Sequence, residues 1–124
     1  MDARKKILLV DDDEAVTDVL HAKLGKYYDM VSTNDPEKAV ALAREHQPDL
    51  VLCDIDMPDT DGGDVSSAFY AAEDLRGMPF MFLTALATPQ DLEATRKEIG
   101  GRPAVSKLAS AKALLERIRS IVGS

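Results

Sequence analysis

Residues 50–65 read LVLCDIDMPDTDGGDV: four residues suited to a buried strand run straight into Asp54, and Asp56, Asp59, Asp61 and Asp64 follow. Carboxylates gathered where an apolar run ends have three ready explanations: a calcium loop, a nucleophile beside its metal, or a solvated turn. The choice depends on what the rest of the chain brings to the same place.

Working outward, DLVLC (49–53) is a short apolar run of the kind that forms a strand buried on both faces, and KILLV (6–10) is another. Between them, Val16, Val19, Leu20 and Leu24 share one helical stripe that stops at Gly25, and YDMVST (28–33) alternates like an edge strand. A second helix follows, with Asp35 as cap, Pro36 in the first turn and Ala39, Leu42, Ala43 and His46 on one face; Pro48 ends it. Downstream, Val65, Ala68, Phe69, Ala72 and Leu75 or Arg76 recur at helical spacing. PFMFL (79–83) predicts a fourth strand, TPQDLEATRKEI (88–99) a helix capped by Thr88, and PAVS (103–106) a weak fifth strand. Leu114, Leu115, Ile118, Ile121 and Val122 mark a last helix. Five strands alternating with helices predict an α/β, doubly wound, five-stranded parallel sheet with five helices, in a single domain spanning 1–124.

The chain has 124 residues, ordinary globular composition and a net charge of −7, which argues against a nucleic-acid surface spread over the whole domain. Its one cysteine, Cys53, admits no intramolecular disulfide, and no apolar run approaches a membrane span. A cytoplasmic protein without direct nucleic-acid or membrane contact is the expectation. His21 and His46 sit in helices as surface or boundary residues, and the methionines suit core filling.

In such sheets ligands bind outside the carboxyl ends of the strands. Strand one runs into Asp11, Asp12, Asp13 and Glu14, strand three into Asp54, strand four into Thr84 and strand five into Lys107. If strands one and three are neighbours, Asp11, Asp12 and Asp54 meet, flanked by a hydroxyl and an ammonium. Three close carboxylates call for a cation, and an all-oxygen donor set points to Mg²⁺, because Cys53 should face away. A carboxylate beside such a metal can attack phosphorus. Singly, each residue has a plain reading: an acidic helix start, a loop carboxylate, a strand-terminal threonine, an exposed lysine. Their joint occurrence at four strand ends favours a site. Asp59, Asp61 and Asp64 are read as turn and cap residues.

ILLVDDDE, CDIDMPDTDG, LTA and SK, in that order along the chain, resemble the receiver domain of two-component response regulators. The resemblance implies the strand order 2-1-3-4-5. It also implies a phosphorylation-dependent switch in which Asp54 accepts a phosphoryl group from a sensor histidine kinase or histidine phosphotransfer protein. Asp11 and Asp12 would organise Mg²⁺, with the backbone carbonyl of Asp56 as a further ligand; Thr84 would follow the phosphoryl group and Lys107 pair with it. A receiver assists its own phosphorylation and dephosphorylation and is not a turnover enzyme on a free substrate. The family's output surface is built by the fourth helix, fifth strand and fifth helix, where a downstream partner, an output domain or a second copy would dock.

Two positions depart from the pattern. Leu108 stands where a cis-proline normally follows the lysine, and a cis bond before leucine would cost about 2.5–4 kcal/mol, so a trans bond with a reshaped loop or a strained cis bond is expected. Ala104 stands where an aromatic usually rotates with the switch hydroxyl, so the readout must differ. A receiver-shaped interaction module that no longer switches is therefore the alternative. From another class, DIDMP superficially resembles the Asp-x-Asp motif of haloacid-dehalogenase-type phosphatases, but that motif usually follows the first strand. A calcium loop starting at Asp54 fails at Pro58, Asp59 and Val65, and dinucleotide binding fails because DDDEAV has no glycine.

Overall fold

Lys6–Val10 forms β1, and its alternate residues commit to opposite faces of one sheet: Leu8 and Val10 to one core, Ile7 and Leu9 to the other. The computed structural model describes residues 4–55, 62–84, 90, 98–99, 102–107 and 109–123. After β1 come α1 (Glu14–Leu24), β2 (Asp29–Thr33), a 3₁₀ turn (Pro36–Lys38) running into α2 (Ala39–His46), and β3 (Leu50–Asp54). Then follow α3 (Gly62–Ala71), β4 (Phe80–Thr84), β5 (Glu98–Ile99), β6 (Arg102–Ser106) and α4 (Ala111–Val122).

The sheet order is β2-β1-β3-β4-β6-β5. Its first five strands pair in parallel, which is the expected 2-1-3-4-5 arrangement. β3 and β4 are buried throughout, whereas β2, at the edge, is never fully buried, as its mixed sequence predicts. Residues of α2 and α3 pack on one face and those of α1 and α4 on the other, so the sheet is doubly wound. Burial on both faces is what the unbroken apolar runs of β1, β3 and β4 encode.

Three details correct the sequence reading. Glu98–Ile99, expected to end the helix over 88–99, pairs antiparallel with β6 through Glu98↔Pro103 and Ile99↔Arg102, adding a sixth strand. The described residues thus carry four α-helices; of the helix expected over 88–99, the rest lies outside the described residues apart from Gln90, which is helical. Third, α3 ends at Ala71, and Leu75 reaches the core from the turn that follows rather than from the helix itself.

The termini follow their local chemistry. Asp13 caps α1, accepting from the N–H groups of Ala15 (2.9 Å) and Val16 (3.4 Å). At the other end a Cβ on Gly25 would sit 2.6 Å from the carbonyl oxygen of His21, so glycine is required by close approach. Gln47 closes α2 in the left-handed region at φ 48°, its N–H donating to Ala43 O. Ser110 caps α4 by accepting from Ala113 N–H at 3.1 Å. Ser110→Ala is expected to cost about 1 kcal/mol, read as a lowered urea midpoint with an unchanged denaturant slope.

Candidate functional site

β1 and β3 are neighbours, with Val10 opposite Cys53. The residue after β1 and the last residue of β3 therefore emerge side by side at the carboxyl edge of the sheet. Asp11 and Asp54 are almost wholly buried (0% and 2% exposed), while Asp12, one residue further along the loop, is exposed. The three carboxylates each offer an oxygen within 4.8 Å of the others. Cys53 joins the core on the α2–α3 side, away from the carboxylates, as strand alternation requires.

Lys107 follows β6, two strands from β3, and reaches back across the edge of the sheet. Its Nζ lies 2.8 Å from Asp11 Oδ2 and 3.3 Å from Asp54 Oδ1, so a single ammonium bridges both buried carboxylates. Burial alone would lower the lysine pKa; the hydrogen bond and charge of Asp11, then the charge and hydrogen bond of Asp54, outweigh it and hold the pKa above its ordinary value. Lys107 is therefore cationic at neutral pH. Thr84 is buried at the end of β4, paired in register with Ser106, and its carbonyl accepts from Lys107 N–H at 2.8 Å. It stands one step beyond Leu83, the register partner of Asp54.

Three carboxylates against one ammonium leave an excess of two negative charges, matching a divalent cation. The donors are hard oxygens, two held in the sheet edge and one facing solvent, a set that suits Mg²⁺ with part of its coordination left to water or phosphate oxygens. Asp56, Leu108, and Asp59 and Asp61, which the sequence reads as turn residues, lie outside the described residues, as does the peptide bond after Lys107; Asp64 lies in the first turn of α3. Ala104 is buried opposite Phe82, which stacks edge-on with Phe80 (5.4 Å between centroids), as Phe80 does with Phe69 (5.3 Å). The aromatic volume at this point of the sheet is carried by β4 instead of β6.

Sequence reasoning missed Asn34. Its side-chain amide donates to the main-chain carbonyl of Asp11 at 2.8 Å and to Thr17 Oγ1 at 3.2 Å. The available signal was its position: directly after β2, the strand that pairs with β1 residue for residue up to Val10↔Thr33.

A doubly wound sheet with an acidic cluster and a lysine at its carboxyl edge agrees with what the sequence motifs imply by their resemblance to receivers. Residues 7–119 match the response regulator receiver domain, and the chain belongs to that family. The polar-differentiation response regulator DivK of Brucella ovis is 35% identical, with 96% of this chain and 97% of DivK covered. The receiver domain of a sensor histidine kinase from Pseudomonas aeruginosa, solved with a magnesium ion coordinated in its active-site cleft, superposes with a TM-score of 0.81 at 27% identity, covering 98% of this chain and 100% of that one. The chemotaxis protein CheY4 of Vibrio cholerae shares the fold, with a TM-score of 0.80 at 23% identity over 96% of this chain and 99% of its own. The chain is thus a response-regulator receiver that works in two-component phosphorelay signalling. Among the described residues no helix is long and apolar enough to cross a membrane.

Proposed function

We propose that Asp54 is the phosphoacceptor, that Asp11 and Asp12 bind Mg²⁺ together with it, and that Lys107 and Thr84 manage the charge of the transferred group. The observation that carries this reading is the bridge of Lys107 Nζ to Asp11 and Asp54, beside three carboxylate oxygens within 4.8 Å of one another. The magnesium-bound receiver from Pseudomonas aeruginosa supports the choice of ion. The backbone carbonyl of Asp56 completes the proposed ligand set, and the chain acts as a single receiver domain in the cytoplasm.

The residues divide the work as follows. Asp11, held by Lys107 and by Asp13 N–H (3.0 Å to Oδ1), is fixed in orientation before any ligand arrives. Asp54 presents one oxygen to phosphorus; as the new O–P bond forms, the P–N bond of a donor phosphohistidine breaks, and the imidazole leaves with the electron pair and takes up a proton. Mg²⁺, when bound, supplies positive charge for the phosphoryl oxygens. Lys107 then exchanges its contact with Asp54 for one with a phosphoryl oxygen, and the Thr84 hydroxyl follows the same group. Water later cleaves the acyl phosphate and resets the domain. The donor is a histidine kinase or a phosphotransfer protein, and the phosphoryl group biases Thr84 between two arrangements, altering the face to which β6 and α4 contribute and which a downstream partner or a second copy reads. With Phe82 buried in an aromatic ladder and alanine at 104, that arrangement is read without a rotating aromatic on β6.

The test is intact-mass spectrometry after incubation with Mg²⁺ and acetyl phosphate. One phosphoryl adduct is expected, and none when EDTA withholds the metal from the start of the incubation. No adduct at saturating Mg²⁺ would favour a non-switching interaction module, and steady release of phosphate from simple esters would favour a phosphatase.

A further inference from the structure

We propose that Asn34 is a positioning residue for the metal site: it holds the loop between β1 and α1 in the shape that presents Asp11 and Asp12 to the cation. The proposal rests on the reading that these carboxylates bind Mg²⁺. Asn34 comes from a third segment, the exit of β2, and spans the loop from outside. Its amide has two hydrogens and both are used, one on the Asp11 carbonyl at 2.8 Å and one on Thr17 Oγ1 at 3.2 Å. The Thr17 hydroxyl is itself anchored, donating to Glu14 O at 2.8 Å, so it meets Asn34 as an acceptor on the first turn of α1.

The two anchor points lie on either side of Asp12 and Asp13. The Asp11 carbonyl belongs to the peptide that joins Asp11 to Asp12, and that peptide is planar. Fixing its oxygen fixes the plane from which the Asp12 backbone departs. The buried Asp11 carboxylate is already held by Lys107 and Asp13 N–H, but Asp12 is exposed, so its direction depends most on how its backbone is oriented. Asp13 restrains the same loop from inside, its N–H on Asp11 Oδ1 and its carboxylate on the start of α1. Strand pairing does not need Asn34, because Asp11 N–H already donates to Thr33 O at 3.2 Å. A bond spent on the outer face of a loop, from an exposed residue, acts on the ligands that the loop carries.

Because Asn34 is exposed, Asn34→Ala leaves the core intact. Calorimetric titration of the metal-free variant is expected to show Mg²⁺ binding weakened by about threefold to tenfold, the weight of one ordinary hydrogen bond. The Mg²⁺ concentration for half-maximal phosphorylation by acetyl phosphate should rise in parallel, with the rate at saturating Mg²⁺ unchanged. An affinity equal to wild type, or a rate loss that persists at saturating Mg²⁺ without any change in affinity, overturns the positioning role while the metal reading stands. A wild type that binds no Mg²⁺ overturns the metal reading, and this inference with it.

Discussion

With Asp54 replaced by alanine, the protein gains no phosphoryl mass from Mg²⁺ and acetyl phosphate, while Asp18→Ala, which removes an exposed carboxylate of α1, gains one as the wild type does. The expected effect is all or none because no other described carboxylate combines the position of Asp54 with its partners. It ends a strand that is buried along its whole length, it is 2% exposed, and it lies 3.3 Å from the Lys107 ammonium. Asp11 is as deeply buried, but its two oxygens already accept from Asp13 N–H and Lys107 Nζ. Asp12 is exposed to water and makes no ion pair with Lys107 in the structure. The reacting oxygen needs both a fixed direction and a neighbouring cation. An adduct that survives in Asp54→Ala would move the acceptor elsewhere and sink the assignment. The substitution is not expected to unfold the protein, since it removes one of three mutually repelling charges.

Replacing Lys107 with methionine should have the larger effect on stability. The side chain keeps much of its bulk but loses the ammonium that compensates two carboxylates, one 0% and the other 2% exposed. Leaving buried charge without its partner costs about 3 kcal/mol or more. On a domain of this size that lowers the melting temperature by roughly 10 °C, measured without metal. Saturating Mg²⁺ should narrow the gap, because a cation bound only by the folded state supplies the missing charge. The pH dependence has a definite sign. The folded-state pKa of Lys107 is raised, so its contribution is complete below the ordinary lysine range and is lost only as pH climbs through the higher folded value. The difference between wild type and Lys107→Met in urea denaturation should hold from neutral pH into the alkaline range and close above it. Equal stabilities at neutral pH without metal would show that the bridge contributes nothing.

On the proposed reading Asp54, Asp11 and Lys107 form one electrostatic unit that a bound Mg²⁺ would complete, and the acids at and after the end of β3 in the sequence need not share one role. Only Asp54 of that group joins the buried site among the described residues; Asp64 serves the first turn of α3. Ala104 lies in the apolar core and not in the charged cluster. Phe82 and Phe80 occupy the core against it, so small-for-large at 104 is balanced by a large residue on the adjoining strand.

The alternation of strands and helices was legible in the chain because each element writes its own short-range pattern. KILLV and LVLCD are continuous because both faces of the sheet are covered, and DMVST is mixed because it lies at an edge. Asp35 announces its helical turn for a similarly local reason: its carboxylate accepts from Glu37 N–H at 3.0 Å, two residues away. Asp11, Asp12, Asp54 and Lys107 could be picked out as strand-end residues, yet nothing local says how deeply each is buried or which touches which. Lys107 and Asp11 are 96 positions apart, and their contact exists only because strand order brings the exits of β1 and β6 to one edge. The short strand Glu98–Ile99 eluded the sequence because its pairing with β6 overrides a stretch that reads as helix. Asn34 eluded it because a single asparagine has no periodicity to betray it; its role follows from β2 lying beside β1, where its amide meets the carbonyl of a residue 23 positions away.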